Sequence, residues 1–167
     1  TYESSSGGLA TAMSSLREDD TIWVGWCGIP SDDLSNKDKQ AIREHFAKHD
    51  AFPVFLTKAH IENFYEGYSN DTLWPLFHYF QSLSQYNDAY WQAYDEVNQL
   101  YAAAVKQVAT STARIWVHDY QLMLVPAMVR QVVPKATIGF FLHIPFPSFE
   151  IFRLLPERRR LLEGLMG

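Results

Sequence analysis

Residues 114–147 read RIWVHDYQLMLVPAMVRQVVPKATIGFFLHIPFP, and this segment predicts the fold class. Its two ends, 114–118 and 137–142, are short runs rich in β-branched and aromatic residues, which is typical of buried strands. The stretch 121–133 between them predicts a helix that ends at Pro134. A strand, a helix and a second strand in this order predict a right-handed βαβ unit with parallel strands.

The chain on either side continues this alternation. Strands are predicted at 21–27 and 51–57, where Pro53 favours an edge strand or an early position in the strand. A charged helix begins between them at the N-cap Ser35, with Asp38 in the place of a capping box. A long amphipathic helix is predicted over 88–108, and shorter helical or turn segments at 59–68, 71–79 and from 149 onward, restarting at Pro156. The pattern predicts an α/β fold with a Rossmann-like parallel sheet and helices on both faces.

The composition of the 167 residues limits the classes of function. Hydrophobic residues make up 47%, which supports a packed core and excludes a disordered chain. The net charge of −5 argues against a nucleic-acid partner. The single cysteine, Cys27, excludes an internal disulfide and a cysteine-based zinc site, and it fits a reducing compartment. No segment has the pattern of a membrane helix or a signal peptide, so we expect a cytoplasmic chain without a membrane partner.

Three polar residues follow the strands of the βαβ unit. His118 and Asp119 stand at the end of the first strand, and His143 follows the second. Ligands of open α/β sheets bind beyond the carboxyl ends of the strands, where these groups could bind sugar hydroxyls or transfer a proton. Alternatively, Asp119 caps the next helix and His143 is a hydrogen-bonded core residue. The residues alone leave both interpretations open.

Two further segments could bind a ligand. Residues 4–9, SSSGGL, precede an apolar helical face, and backbone N–H groups at Gly7 and Gly8 could approach a phosphate. In residues 73–79, LWPLFHY, Trp74 precedes Pro75 and is therefore expected outside a helix, in a turn where it could pack against a sugar ring. Tyr65 could face the same cleft. An ordinary glycine loop and ordinary core aromatics are the alternatives.

The sequence has neither a Walker-type loop nor a Gly-x-Gly-x-x-Gly loop, so no motif in it supports binding of ATP or NAD. We predict no metal site and no cofactor.

Six segments, in this order along the chain, together resemble the trehalose-6-phosphate synthases. That family consists of retaining glycosyltransferases with two Rossmann-like halves facing a cleft, the GT-B architecture. The segments are SGGL at 6–9, WVGW at 23–26, LWPLFHY at 73–79 with Tyr65 upstream, WVHDY at 116–120, FLHIPFP at 141–147 and EIF at 150–152. The resemblance covers nearly the whole chain and points to the N-terminal half of such an enzyme.

The resemblance implies transfer of glucose from UDP-glucose to glucose 6-phosphate, which gives α,α-trehalose 6-phosphate and UDP. It implies that residues 1–167 are a partial N-terminal, acceptor-side domain. The family's opening strand, with its phosphate-binding arginine, and the C-terminal donor-binding half are expected to be missing. We therefore expect the segment alone to be inactive. The implied partners are the two substrates, a second copy of the chain or a trehalose-phosphate phosphatase.

The resemblance also assigns roles to individual residues. Asp119 and His143 match catalytic positions. The positions implied for donor binding are His143, near the transferred glucose, and Gly7 and Gly8, at the donor phosphates. The positions implied for acceptor binding are Tyr65, Trp74, Asp119 and Ile144. Gln121 departs from the family pattern, because many members have a second histidine there.

Two alternatives to the synthase remain. The chain could be a non-catalytic, synthase-like regulatory module that binds glucose 6-phosphate or partner subunits. It could also be a sugar-nucleotide transferase of the same fold with a different acceptor.

Overall fold

The computed structural model describes residues 20–167. The predicted phosphate loop with Gly7 and Gly8 lies outside the described residues. Within them, the strands are β1 (Trp23–Trp26), β2 (Ala51–Val54), β3 (Arg114–His118) and β4 (Thr137–Phe141). The α-helices are α1 (Asn36–Ala47), α2 (Lys58–His60), α3 (Trp74–Phe77), α4 (Asp88–Val108), α5 (Val125–Val132), α6 (Phe149–Phe152) and α7 (Arg158–Leu165). A π-helix, Ile61–Leu73, connects α2 to α3, and short 3₁₀ turns lie at Ser31–Asp33, Gln81–Leu83 and Tyr120–Leu122.

The strands form two parallel pairs. β1 pairs with β2 from Trp23 opposite Ala51, and β3 pairs with β4 from Arg114 opposite Thr137. The predicted α/β class and the parallel βαβ unit are confirmed. Between residues 20 and 167 the two pairs share no hydrogen-bonded ladder, so the sheet expected as one unit consists here of two parts.

Helix α4 lies at the centre of the fold. It contacts both strands of the first pair, the π-helix and α5. Its buried face includes Tyr94, Val97 and Asn98, each with no exposed surface. Val24 of β1 and Phe140 of β4 each pack against both hydrophobic clusters of the core, so side chains join the two strand pairs where backbone hydrogen bonds do not.

Local sequence signals fix several boundaries. The Ser35 hydroxyl accepts a hydrogen bond from the Asp38 N–H, and the Asp38 carboxylate accepts one from the Ser35 N–H, which forms the predicted capping box at α1. The strand predicted at 51–57 ends earlier, at Val54, and Thr57 instead caps α2 through the His60 N–H.

The helix predicted over 121–133 is wrong at its start, because a 3₁₀ turn precedes α5. Pro126 lies in the first turn of α5, where its missing N–H breaks no helical bond. Side chains of α4 satisfy the backbone before it. The Met123 N–H donates to the Tyr94 hydroxyl at 3.1 Å, and the Leu124 N–H donates to Asn98 Oδ1 at 3.1 Å. Side chains thus replace the helical acceptors that these two N–H groups lack.

Close packing of backbones holds α7 in place. A Cβ at Gly164 would lie 2.5 Å from the Met123 carbonyl oxygen and 2.8 Å from Leu124 Cα. Only glycine allows α7 to lie this close to the segment that leads into α5. No helix within residues 20–167 has the length and hydropathy needed to span a membrane.

Candidate functional site

The site lies at the carboxyl ends of β3 and β4, where the sequence predicted polar groups. The backbone N–H of Asp119 donates to the Phe141 carbonyl at 2.8 Å, which extends the ladder one residue beyond β3. Asp119 has φ 72° and ψ 168°, a conformation that is rare for residues other than glycine. Such strain is typical of functional positions that the surrounding structure holds in place.

The Asp119 carboxylate fixes the backbone around it. Its Oδ1 accepts a hydrogen bond from the Tyr120 N–H at 3.0 Å and a second from the His143 N–H at 3.2 Å. The first bond caps the 3₁₀ turn, as the alternative interpretation expected. The second bond joins the ends of the two strands. Asp119 therefore caps a turn and also positions His143, so the two interpretations are not exclusive.

The rings of His118 and His143 contact each other at this edge. Nδ1 of His118 lies 3.0 Å from Nε2 of His143, and the rings stack at 24°. Burial lowers the pKa of His118, and the neighbouring His143 lowers it further, whereas the charge of Asp119 opposes both effects. Both histidines were predicted at this edge, but their hydrogen bond was not. The strand register would have indicated the bond, since His118 is opposite Phe141 and His143 follows two residues later on the same face.

The π-helix carries Tyr65, and its end carries Trp74. These side chains are exposed by 46% and 41%. Nine residues separate them, which would place them on opposite sides of an α-helix with 3.6 residues per turn. A helix with i→i+5 hydrogen bonds has about 4.4 residues per turn, so nine residues make about two turns. This spacing predicts that Tyr65 and Trp74 lie on the same side of the π-helix.

The expectation that Trp74 lies outside a helix is wrong. Its φ of −59° and ψ of −49° are helical, and its N–H donates to the Ser69 carbonyl. Pro75 lies in the first turn of α3, a position where proline is tolerated. The helical backbone therefore continues through the proline. The Gln85 N–H of the loop after α3 donates to the Asp71 carbonyl of the preceding turn at 2.8 Å.

A cavity of about 200 Å³ lies between the first strand pair and the π-helix. Tyr65, His118 and Gln121 contribute polar groups to its wall, and Trp26 and Phe64 are among its apolar residues. The cavity brings Tyr65 and His118 together. Of the other predicted residues, Trp74, Asp119, His143 and Ile144 lie outside this wall, and Ile144 packs against the main hydrophobic core.

Two tyrosines that the sequence analysis did not single out support the site. The Tyr120 hydroxyl donates to Asn70 Oδ1 of the π-helix at 3.0 Å. Burial, together with the charge of Asp119, raises the pKa of Tyr120 to about 12, which keeps this donor protonated. The Tyr79 hydroxyl accepts a hydrogen bond from the Ser148 N–H at 2.9 Å, which holds the loop that follows His143 in place. In the part of the chain that the structure describes, no cluster of three or more metal-ligating side chains could hold a metal ion.

Parallel strands joined by helices, with polar groups at the carboxyl edge, are typical of a Rossmann-like domain, and similar solved structures define it as one half of a GT-B glycosyltransferase. Solved structures support this class. A UDP-forming trehalose-phosphate synthase from Burkholderia xenovorans is 33% identical, with a TM-score of 0.79, over 96% of this chain and 35% of that chain. A synthase from the same organism in complex with glucose 6-phosphate is 30% identical, with a TM-score of 0.77, over 96% of this chain and 35% of that chain.

The family model for glycosyltransferase family 20 matches residues 1–167, and the chain belongs to this family. A bifunctional trehalose-6-phosphate synthase/phosphatase of Thermoproteus tenax is 47% identical over 96% of this chain and 23% of its own length. A trehalose-6-phosphate synthase of Mycobacterium tuberculosis is 44% identical over 100% of this chain and 34% of its own length. The chain thus spans about a quarter to a third of the relatives it matches.

Proposed function

We propose that this chain forms the acceptor side of a UDP-forming trehalose-6-phosphate synthase. The complete enzyme transfers glucose from UDP-glucose to glucose 6-phosphate and produces α,α-trehalose 6-phosphate and UDP. The observation that carries the proposal is the hydrogen bond from the His143 N–H to Asp119, which holds two predicted site residues at the carboxyl edge of β3 and β4. The names of the relatives and the glucose 6-phosphate complex of a similar synthase support the substrates.

Each predicted residue has a role in this proposal. Asp119 accepts hydrogen bonds from acceptor hydroxyls, and Tyr65 and Trp74 bind the acceptor from one side of the π-helix. Ile144 contributes an apolar contact to the acceptor pocket. His143 contacts the transferred glucose. Gly7 and Gly8, which lie outside the described residues, approach the donor phosphates through their N–H groups.

The proposed chemistry rests on positioning. A retaining transferase of this kind does not need the paired carboxylates of a retaining glycosidase, because the departing diphosphate takes the acceptor proton on the same face. Residues of this chain would hold the acceptor hydroxyl in register with the donor. The polar groups at the edge of β3 and β4 fit that task, because they are fixed through backbone hydrogen bonds.

Partners and location complete the proposal. The Thermoproteus tenax relative is named as both synthase and phosphatase, which supports a trehalose-phosphate phosphatase as a functional partner. A second copy of the chain is the other proposed partner. The free thiol of Cys27 fits a reducing compartment, and we propose the cytoplasm.

Turnover by the complete protein that carries this segment tests the function. UDP release and trehalose 6-phosphate formation are measured with both substrates, with each substrate alone, and with the His143→Ala variant. We expect product only with both substrates and a strong loss of kcat in the variant, whereas the isolated chain should give little or none. UDP release without trehalose 6-phosphate would indicate a different acceptor. Saturable binding of glucose 6-phosphate without turnover would indicate a regulatory module.

A further inference from the structure

We propose that His118 is a positioning residue that holds the imidazole of His143 in one orientation and couples the tautomer of His143 to its own through the Nδ1–Nε2 hydrogen bond. The inference rests on the proposed role of His143 at the transferred glucose. His118 itself touches no reacting atom in this proposal. Its effect passes through the 3.0 Å contact between the two rings.

The backbone sets the distance between the rings. The Asp119 N–H donates to the Phe141 carbonyl and locks the register of the strand ends, and the Asp119 carboxylate binds the His143 N–H. His118 and His143 therefore stand on adjacent strands on the same face. The Trp116 ring lies 4.7 Å from the ring of His118, and the Phe141 ring lies 4.7 Å from that of His143. Each imidazole is thus supported by an aromatic ring of its own strand.

The chemistry of two imidazoles makes this contact selective. A neutral imidazole has one N–H donor and one acceptor nitrogen, whereas an imidazolium has two donors. The hydrogen bond therefore needs at least one neutral ring. Nδ1 of His118 either donates to Nε2 of His143 or accepts from it, so in two neutral rings the tautomer of one ring follows that of the other. In both arrangements only Nδ1 of His143 is left for a ligand. A ring without this partner would change its tautomer independently and would rotate more freely.

Three substitutions distinguish positioning from simple packing. His118→Asn keeps an amide near the place of Nδ1, and His118→Phe keeps a ring without hydrogen bonding. His49→Phe, at an exposed histidine just before β2 at the other end of the strands, is the matched control. The imidazole ¹⁵N shifts of His143 in this chain report its tautomer directly. The ¹⁵N shifts of His118 are measured beside them, at a pH where both rings are neutral. We expect equal Nδ1–H fractions for His118 and His143 in the wild type and in the control. The His143 tautomer ratio should move towards that of a free imidazole in His118→Phe and should change less in His118→Asn.

The kinetic arm uses the complete synthase that carries this segment. We expect His118→Phe to lower kcat about tenfold with little change in the KM for glucose 6-phosphate, and His118→Asn to recover most of kcat. Equal losses in both variants, unchanged kcat in His118→Phe, or unequal Nδ1–H fractions of His118 and His143 in the wild type would each overturn the proposal. Random-coil histidine shifts in the chain would also overturn it, because the pair requires β3 and β4 to be formed. The tautomer measurement uses no substrate, so its outcome is separate from that of the proposed function.

Discussion

The backbone N–H of His143 donates a hydrogen bond of 3.2 Å to the carboxylate of Asp119, which links the ends of two neighbouring strands. In this position the backbone of Asp119 adopts a strained conformation with a positive φ of 72°. A hydrogen bond from the Tyr120 N–H alone would be enough for a turn cap. The second bond, from the His143 N–H, gives Asp119 the further role of holding the histidine of the neighbouring strand. The relationship makes Asp119 the centre of the proposed acceptor site.

The stability of the chain should fall in acid because of His118. Its pKa is lowered by burial and by His143, with Asp119 opposing, so the unfolded state binds a proton that the folded state resists. The folded state therefore loses stability as the pH falls below the unfolded value of 6.5 towards the lower folded pKa. Urea unfolding midpoints at several pH values measure the effect. His118→Asn should flatten the profile in this window, and an unchanged slope would contradict the assignment.

The buried hydroxyl of Tyr94 should contribute strongly to stability. It donates to the Tyr120 carbonyl at 2.7 Å and accepts from the Met123 N–H at 3.1 Å, and burial raises its pKa. Tyr94→Phe leaves both backbone groups without this partner, so we expect a loss of about 1–3 kcal/mol in the free energy of unfolding. Tyr79→Phe, at an exposed tyrosine, is the control and should cost much less. Similar urea midpoints for the two variants would show that the Tyr94 hydroxyl is not a structural anchor.

The position of α7 should depend on Gly164. A Cβ there would meet the Met123 carbonyl oxygen and Leu124 Cα, which belong to the backbone and cannot rotate away. We expect Gly164→Ala to lower the free energy of unfolding by about 1–3 kcal/mol. Gly139→Ala is the matched control, because the nearest atom to its Cβ would be Trp116 Cδ1 at 3.8 Å. Thermal melts of both variants test the contrast, and equal Tm values would refute it.

Local patterns predicted much of the fold. The Ser35 cap, the bounds of α4 and the first strand of the βαβ unit follow from side-chain chemistry within a few residues. Trp74 did not follow the rule for residues before proline, because the π-helix runs directly into α3 and keeps its backbone helical. The separation of the strands into two pairs depends on contacts far apart in sequence, which periodicity does not report.

The candidate site was predicted by position but not by geometry. The ends of parallel strands meet at one edge, and this rule placed Asp119 near His143. The contact between His118 and His143 depends on the register in which β3 pairs with β4. The sequence pattern does not distinguish this register from one shifted by a single residue. The shared side of Tyr65 and Trp74 depends on the π-helix, since an α-helical spacing would have separated them.

Binding of glucose 6-phosphate to this chain tests the central claim most directly. Isothermal titration compares the wild type with Asp119→Ala and with Asp50→Ala. The control residue also has a positive φ, 52°, but it precedes β2 at the opposite end of the strands. The account predicts saturable binding that Asp119→Ala weakens about tenfold or more and that Asp50→Ala leaves unchanged. Binding of equal strength in the wild type and Asp119→Ala, or no binding to the folded wild-type chain, would contradict it.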